Sequence, residues 1–486
     1  MSPVLLFSFV IAYFLLLLVV AYYTSRKANN ETFFIGNKSS NWMLVAFGMI
    51  GTSLSGVTFV SVPGTVGSSG FTYFQVVIGY FIGYFIIAYV LLPLYYRLNL
   101  TSIYNYLHQR FGNMAYKTGA LFFIGSRILG ATARLYLVIN VLQLFILDVM
   151  GVPFIVTTFI ILLMIILYTF KGGVKTIVWT DTLQTTGMLV GLVVCIIYIM
   201  NTFGFSLAET IHELSLRSYT KVFNADVNSA GFFVKQIIGG AFITVAMTGL
   251  DQEMMQKNIS VKTLKDSQKN MITFSVIMVV VNFLFLLLGG LLYLFAEKNG
   301  VTIKGDDLFP ALAMNHLPGF ISIIFILGLI SALFPSADGA ITALTSSFCI
   351  DILGLKNRND LSEKQRTRTR MTVHLGFALI FLLCVMVFKW IDNKSIINVL
   401  LKVAGFTYGP LLGLFSFGIL TRRRLPETYL IPVVCVLSIL ICYFLDRNAA
   451  AWFGGFQIGI ELLILNGFIT FMGLLFISKT SSGANT

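Results

Sequence analysis

The chain has 486 residues, 57% hydrophobic and 11% charged, with 33 basic against 20 acidic side chains and a formal net charge of +13. Soluble domains carry roughly 25% charged residues, so a soluble globular protein is excluded and a polytopic membrane protein is indicated. Five scattered cysteines without a C-x-x-C pair, and four scattered histidines, argue against a disulfide framework and against a zinc site.

Residues 3–24 are an apolar run with neither a basic leader nor a small-residue cleavage site, which predicts a retained helix and not a signal peptide. Further runs of the length a membrane helix needs fall at 43–66, 73–96, 117–147, 152–170, 177–203, 234–253, 271–296, 319–350, 371–390, 396–420, 428–445 and 453–478. The expected fold class is an all-α polytopic membrane protein of about thirteen spans, numbered below in chain order. The run at 117–147 has room for a turn or a strong tilt.

With the N-terminus outside, 22 Lys and Arg lie in inner loops, among them Arg26, Lys27, Lys38, Lys171, Lys175, Lys257, Lys356 and Arg422, against 7 in outer loops, including Lys394 and Arg447. That bias satisfies the positive-inside rule and places the C-terminus in the cytoplasm of a cell (plasma or inner) membrane. The basic excess thus reads as topology in a lipid bilayer, and a nucleic-acid partner is not expected. No motif sets an oligomeric state.

The second span is interrupted. Gly51, Gly56, Pro63 and Gly64 break it, and Thr52, Ser53, Ser55, Thr58 and Ser61 line it. A broken helix survives at membrane depth only inside protein or beside a water-filled cavity, where freed carbonyls coordinate cations. Close packing of a small-residue helix on a neighbour is the alternative reading. The seventh span again carries breakers, Gly239, Gly240, Thr248 and Gly249. Interrupted segments at matching positions of two halves point to a transporter site near the midplane. The chain accordingly divides into residues 1–41, a five-helix set over 42–203, a loop at 204–232, an inverted five-helix set over 233–420, and two helices with a tail at 421–486.

Between the fifth and sixth spans stands Phe170-Lys-Gly-Gly-Val-Lys-Thr-Ile-Val-Trp-Thr-Asp-Thr-Leu-Gln184. Asp181 reads either as a cation-attracting carboxylate or as a helix N-terminal acid favourable to the dipole. This string resembles the sodium:solute symporter family, as do Ser53-Leu-Ser-Gly-Val-Thr-Phe59, the Asp251-Gln252 to Lys257 stretch and Gly409-Pro-Leu-Leu-Gly413. The resemblance covers nearly the whole chain. It implies a leucine-transporter-type five-plus-five inverted repeat with one extra N-terminal and two extra C-terminal helices. It also implies sodium-coupled symport of a small organic solute into the cell. For the main sodium site it implies carbonyls of Gly51 and Leu54 with Ala332, position 335 and Ser336 of the ninth span, and for a second cation position Asp181.

The ninth span departs from that pattern, with Pro335 in place of a hydroxyl, Asp338 where Ser or Thr is usual, and Gly339 in place of Ser. Proline removes a ladder bond and frees the carbonyl of Ser331. Residues 331, 335, 338, 342 and 345 share one face, which predicts an inward polar stripe. Asp338 is expected to strengthen cation binding or, alternatively, to take up a proton and make the symport proton-coupled.

Charges at a helix centre cost roughly 2.5–3.5 kcal/mol on insertion scales and so face a cavity or a partner. Five stand within spans: Arg127, Arg134, Asp181, Asp338 and Lys402. If the aspartates hold cations, the bases leave room for an anionic solute; pairing across helices or snorkelling is the alternative. Lys235, at a helix start, reads as snorkelling. Further solute candidates are Ser53, Ser55, Thr58, Gln75 and Gly240, with Tyr73 and Phe74 as an outer lid. Moving one charge through 100 mV is worth about 2.3 kcal/mol and a tenfold gradient about 1.4 kcal/mol, so a monoanion would be better served by two sodium ions. A passive channel or facilitator would need a polar filter, and none is evident. No H-E-x-x-H or G-x-S-x-G string suggests an enzyme, and no motif selects a substrate.

Overall fold

The computed structural model describes residues 2–25, 40–355, 358, 360–391 and 396–480. Arg26, Lys27, Lys38, Lys356 and Lys394 lie outside the described residues, as do the side chains of Lys171 and Lys175. Helices cover each of the thirteen apolar runs. Among the described residues, eight helices are long and apolar enough to cross a membrane, or ten when each of two bent pairs is one span. The shorter helices Trp42–Ser53, Phe154–Phe170 and Leu462–Ile477 account for runs outside that set.

The second span consists of Trp42–Ser53 and Gly56–Ser69. Asn41 caps its start, its side chain accepting the Met43 N–H at 2.9 Å. Leu54 (φ −85°, ψ 84°) and Ser55 (φ −81°, ψ 176°) leave the helical region and make the break. Pro63 and Gly64, expected to interrupt the span too, lie inside the second half-helix. Pro63 removes the bond that the Phe59 carbonyl would accept, without breaking the half-helix; next to it the Gly64 carbonyl accepts the Tyr293 hydroxyl at 2.7 Å.

The third span runs from Tyr73 to Arg97 through a widened turn at Ile87–Leu91. The fourth, Asn113–Leu142, continues into Gln143–Leu147 with no turn. The fifth and sixth meet at Gly173, whose φ of +55° suits glycine. The seventh is Phe233–Thr244 continued by a widened turn at Val245–Gly249 and followed, after a break at Leu250 and Asp251, by Gln252–Ile259, bent by 66°. The eleventh bends by 43° between Thr407 and Gly409. The ninth, Gly319–Ser347, passes through Pro335 uninterrupted. Its expected polar stripe is buried but does not serve one site: Ser331 donates to Tyr13 of the first span at 2.8 Å, while Thr345 meets His374 of the tenth at 3.0 Å.

Apolar packing holds the broken span in place. Phe59 of its second half contacts Phe285, Phe309 and Phe325 at ring separations of 5.8, 5.4 and 5.8 Å. All four rings are fully buried, so the half-helix is fixed against the eighth and ninth spans and the Leu308–Asn315 helix. The five cysteines are free thiols.

Candidate functional site

The two breaks differ in how their peptide groups are satisfied. In the seventh span the Gly249 carbonyl accepts the Tyr95 hydroxyl at 2.7 Å and the Leu250 carbonyl accepts Tyr104 at 2.8 Å. Asp251 then caps the next helix, accepting the N–H groups of Glu253 and Met254 at 2.9 and 3.2 Å. In the second span the Leu54 N–H reaches Ile50 O and the Phe59 N–H reaches Ser55 O. Among the described residues, no donor of the chain meets the carbonyls of Gly51, Thr52, Ser53 or Leu54. Buried peptide oxygens are nearly always paired. One break is therefore closed by tyrosines, and the other presents bare acceptors of the kind a monovalent cation takes.

Beside the bare break lies a cavity of about 110 Å³, lined by Ser53, Ser55 and Thr58, by Tyr73, Tyr80 and Tyr84, and by Arg127 and Arg134. A second cavity, of about 350 Å³, opens at the end of the bundle that carries Gly231 and Gly459. The two share Tyr73, Ile397 and Leu401, so these three side chains stand between them.

Arg127 and Arg134, seven residues apart on one helix, are treated differently by the fold. Arg127 pairs with Glu253 and, at 3.6 Å, with Asp251. Arg134 has no carboxylate within ion-pair reach among the described residues. Of the two readings offered for the membrane bases, pairing across helices describes Arg127 and also Lys402, whose partner is Asp446 at 2.6 Å. Of these three bases, Arg134 alone lines the central cavity without a carboxylate partner among the described residues.

Lys257 requires a correction. Counted as an inner-loop residue, it is in fact buried, 2% exposed. Its ammonium lies 2.6 Å from Asp181 Oδ2, 2.5 Å from the Thr52 hydroxyl and 3.5 Å from Glu253 Oε1. Thr52 also donates to Asp181 Oδ2 at 3.2 Å. Asp251-Gln-Glu-Met-Met-Gln-Lys-Asn reads as a loop because it is polar, yet it is a buried helix. The signal that would have revealed it is a capping Asp251 followed by the i,i+4 pair Glu253 and Lys257.

The other expected site residues are placed as follows. Gly51 lies against Pro335 and the Asp181 backbone, which brings the bare break to the ninth span. The Ser336 hydroxyl donates to the carbonyls of Ala332 and Leu333 at 3.1 and 3.0 Å. Asp338 accepts the Tyr168 hydroxyl at 2.7 Å and the Gly339 N–H at 2.5 Å. A side chain at Gly339 would overlap the Glu253 carboxylate. Gln75 and Lys402 line the second cavity, not the first. Gln75 there ties the Gly231 and Asn224 backbone. Gly240 packs on Val76 of the third span and lines neither cavity. Of the pair expected as an outer lid, Phe74 packs on Phe283 and Tyr73 lines both cavities. Lys235 bonds the carbonyls of Ser229 and Gln457.

The sequence pattern that defines the sodium:solute symporter family matches residues 33–447. The chain belongs to the sodium:solute symporter family. It is thus a membrane transporter, not an enzyme, and couples a small solute to sodium. The symporter is 23% identical over 457 residues to the sodium/sialic acid symporter NanT of Aliivibrio fischeri, covering 92% of this chain and 88% of that one. It is 27% identical over 405 residues to sodium-coupled monocarboxylate transporter 1 of Mus musculus, covering 80% and 64%. Its fold matches that of a substrate-bound, outward-open sodium-coupled sialic acid symporter with a TM-score of 0.82, at 20% identity over 97% of both chains.

Proposed function

We propose that this symporter carries a small monocarboxylate into the cell with sodium. The carboxylate binds Arg134; sodium binds the carbonyls of Gly51, Leu54 and Ala332 and the hydroxyl of Ser336. The observation that carries the reading is Arg134. It is a guanidinium on a cavity wall, within a ring of tyrosines, without an acid of its own. A charge that costs several kcal/mol at membrane depth is retained where a ligand completes it. Sialic acid and monocarboxylates, named for the relatives, share the carboxylate that Arg134 would bind.

Size favours the smaller acid. An apolar cavity of about 150 Å³ just holds benzene, and the cavity here is about 110 Å³, room for an acid of a few heavy atoms. Ser53, Ser55 and Thr58 supply hydroxyls to its remaining polar groups. Asp338, engaged by Tyr168, contributes its charge at a distance. Gln75, Lys402 and Tyr73 belong to the entry path, and Gly240 to the packing of the moving helices.

The five-helix sets over 42–203 and 233–420 act as the two inverted repeats, with the N-terminus outside and the C-terminus in the cytoplasm. The cavity at the Gly231 end then faces outward, and rocking of one bundle on the other alternates access. The test is thermal stabilisation of the purified protein by propionate, lactate, sialic acid and a neutral sugar, in sodium and in choline. Stabilisation by a short monocarboxylate only in sodium is expected. A neutral solute that stabilises it as well as any acid would overturn the carboxylate reading.

A further inference from the structure

We propose that the Lys257 ammonium is a resident counter-ion that closes Asp181 to sodium, so that one sodium ion moves with each solute. This rests on the sodium reading of the first break given above. The ammonium donates to Asp181 Oδ2 at 2.6 Å and to Thr52 Oγ1 at 2.5 Å and stands 3.5 Å from Glu253 Oε1, an oxygen that accepts no hydrogen bond among the described residues. Thr52 adjoins Gly51, so this fixed charge sits one residue from the bare carbonyls.

The ninth span is shaped to the same arrangement. Gly339 gives the Glu253 carboxylate its room, since any side chain there would overlap it. Pro335 offers no side-chain ligand atom, and Asp338 is engaged by Tyr168 and the Gly339 N–H. The three departures from a hydroxyl-bearing helix thus make one pattern, in which side chains of the chain fill the space and supply the charge. Glu253 also binds Arg127, which holds Asp251. Asp251, Arg127, Glu253, Lys257 and Asp181 form a line of alternating charge from the solute cavity to the sixth span.

Asp181 Oδ1 is buried without a donor, but its carboxylate is paired with Lys257, which Glu253 shares, so the ammonium is the nearest charge that an ion arriving there would meet. A sodium ion about 4 Å from Lys257 Nζ, at an effective dielectric of about 20, would bind roughly a thousandfold more weakly than without the lysine. Asp181 is therefore not a second sodium position while Lys257 is present, and the two-ion expectation from voltage arithmetic gives way to one. A monocarboxylate then crosses with one sodium and no net charge.

The experiment counts radiolabelled sodium bound to the purified wild-type protein and measures monocarboxylate uptake into proteoliposomes under an imposed potential. One sodium per protein, with uptake indifferent to voltage, is expected. Lys257→Gln should bind a second sodium and become voltage-driven; Lys257→Gln combined with Asp181→Asn should return to one. Two sodium ions on the wild type, or one on a folded Lys257→Gln, would overturn the proposal. If Lys257→Gln does not fold, the wild-type count decides alone. Two ions on the wild type refute this inference and leave the sodium reading standing, whereas no sodium at all refutes both.

Discussion

Replacing Arg127 and Arg134 one at a time by Gln should give opposite phenotypes, although both lie on one helix and line one cavity. Arg127 is 4% exposed and holds Asp251 and Glu253, themselves almost fully buried. Removing it leaves Asp251 without a cationic partner and Glu253 with Lys257 alone at 3.5 Å, and breaking a buried pair in this way costs about 3–5 kcal/mol. Arg134 has no protein acid to abandon, so Arg134→Gln strands no buried charge and should change stability by about 1 kcal/mol or less. What it loses is the solute: charge-assisted hydrogen bonds are worth about 1.5–3 kcal/mol, or roughly ten- to a hundredfold in affinity. The assay pairs a thermal unfolding scan with a binding isotherm for a short monocarboxylate in sodium. Arg127→Gln should unfold well below the wild type, whereas Arg134→Gln should unfold near it with binding much weakened. Unchanged carboxylate affinity in Arg134→Gln, or a stable Arg127→Gln, would refute the division of labour between the two arginines.

Exchanging sodium for choline should lower the unfolding temperature, since an ion present at a hundred times its dissociation constant stabilises by about 2.7 kcal/mol; Ser336→Ala should shrink that difference. Tyr95→Phe leaves the Gly249 carbonyl without its donor and should cost about 1–3 kcal/mol, with sodium affinity unchanged in the same titration. Gly339→Ala pushes on the Glu253 carboxylate and should destabilise by about 1–3 kcal/mol, the range for overpacking, measured by the same scan.

Spans were legible because hydropathy alone requires them, and the break at Leu54–Ser55 was legible because glycine and hydroxyl residues crowd an otherwise apolar run. Pro335 removes a ladder bond, yet with buried neighbours around it the ninth span runs on without a break. Arg127 and Arg134 looked alike in sequence, and only the tertiary placement of Asp251 and Glu253 separates them. Those acids and Lys257 were hidden for a physical reason. A helix whose polar groups satisfy one another inside the protein has the composition of a loop, and periodicity cannot distinguish the two. Glycine posed the same difficulty: Gly240 is a contact with Val76, a role that a break signal mimics.

The half-helices Trp42–Ser53 and Gly56–Ser69 meet through a joint that the polypeptide leaves incomplete. A joint with bare carbonyls has little stiffness of its own, so a sodium ion held there, as proposed above, would also serve as a strut. With the ion aboard, the two pieces would turn as one rod; without it, they would be free to pivot. Loading and release would then correspond to two mechanical states of a single span, and the ion that supplies the driving force would also set the shape that it drives.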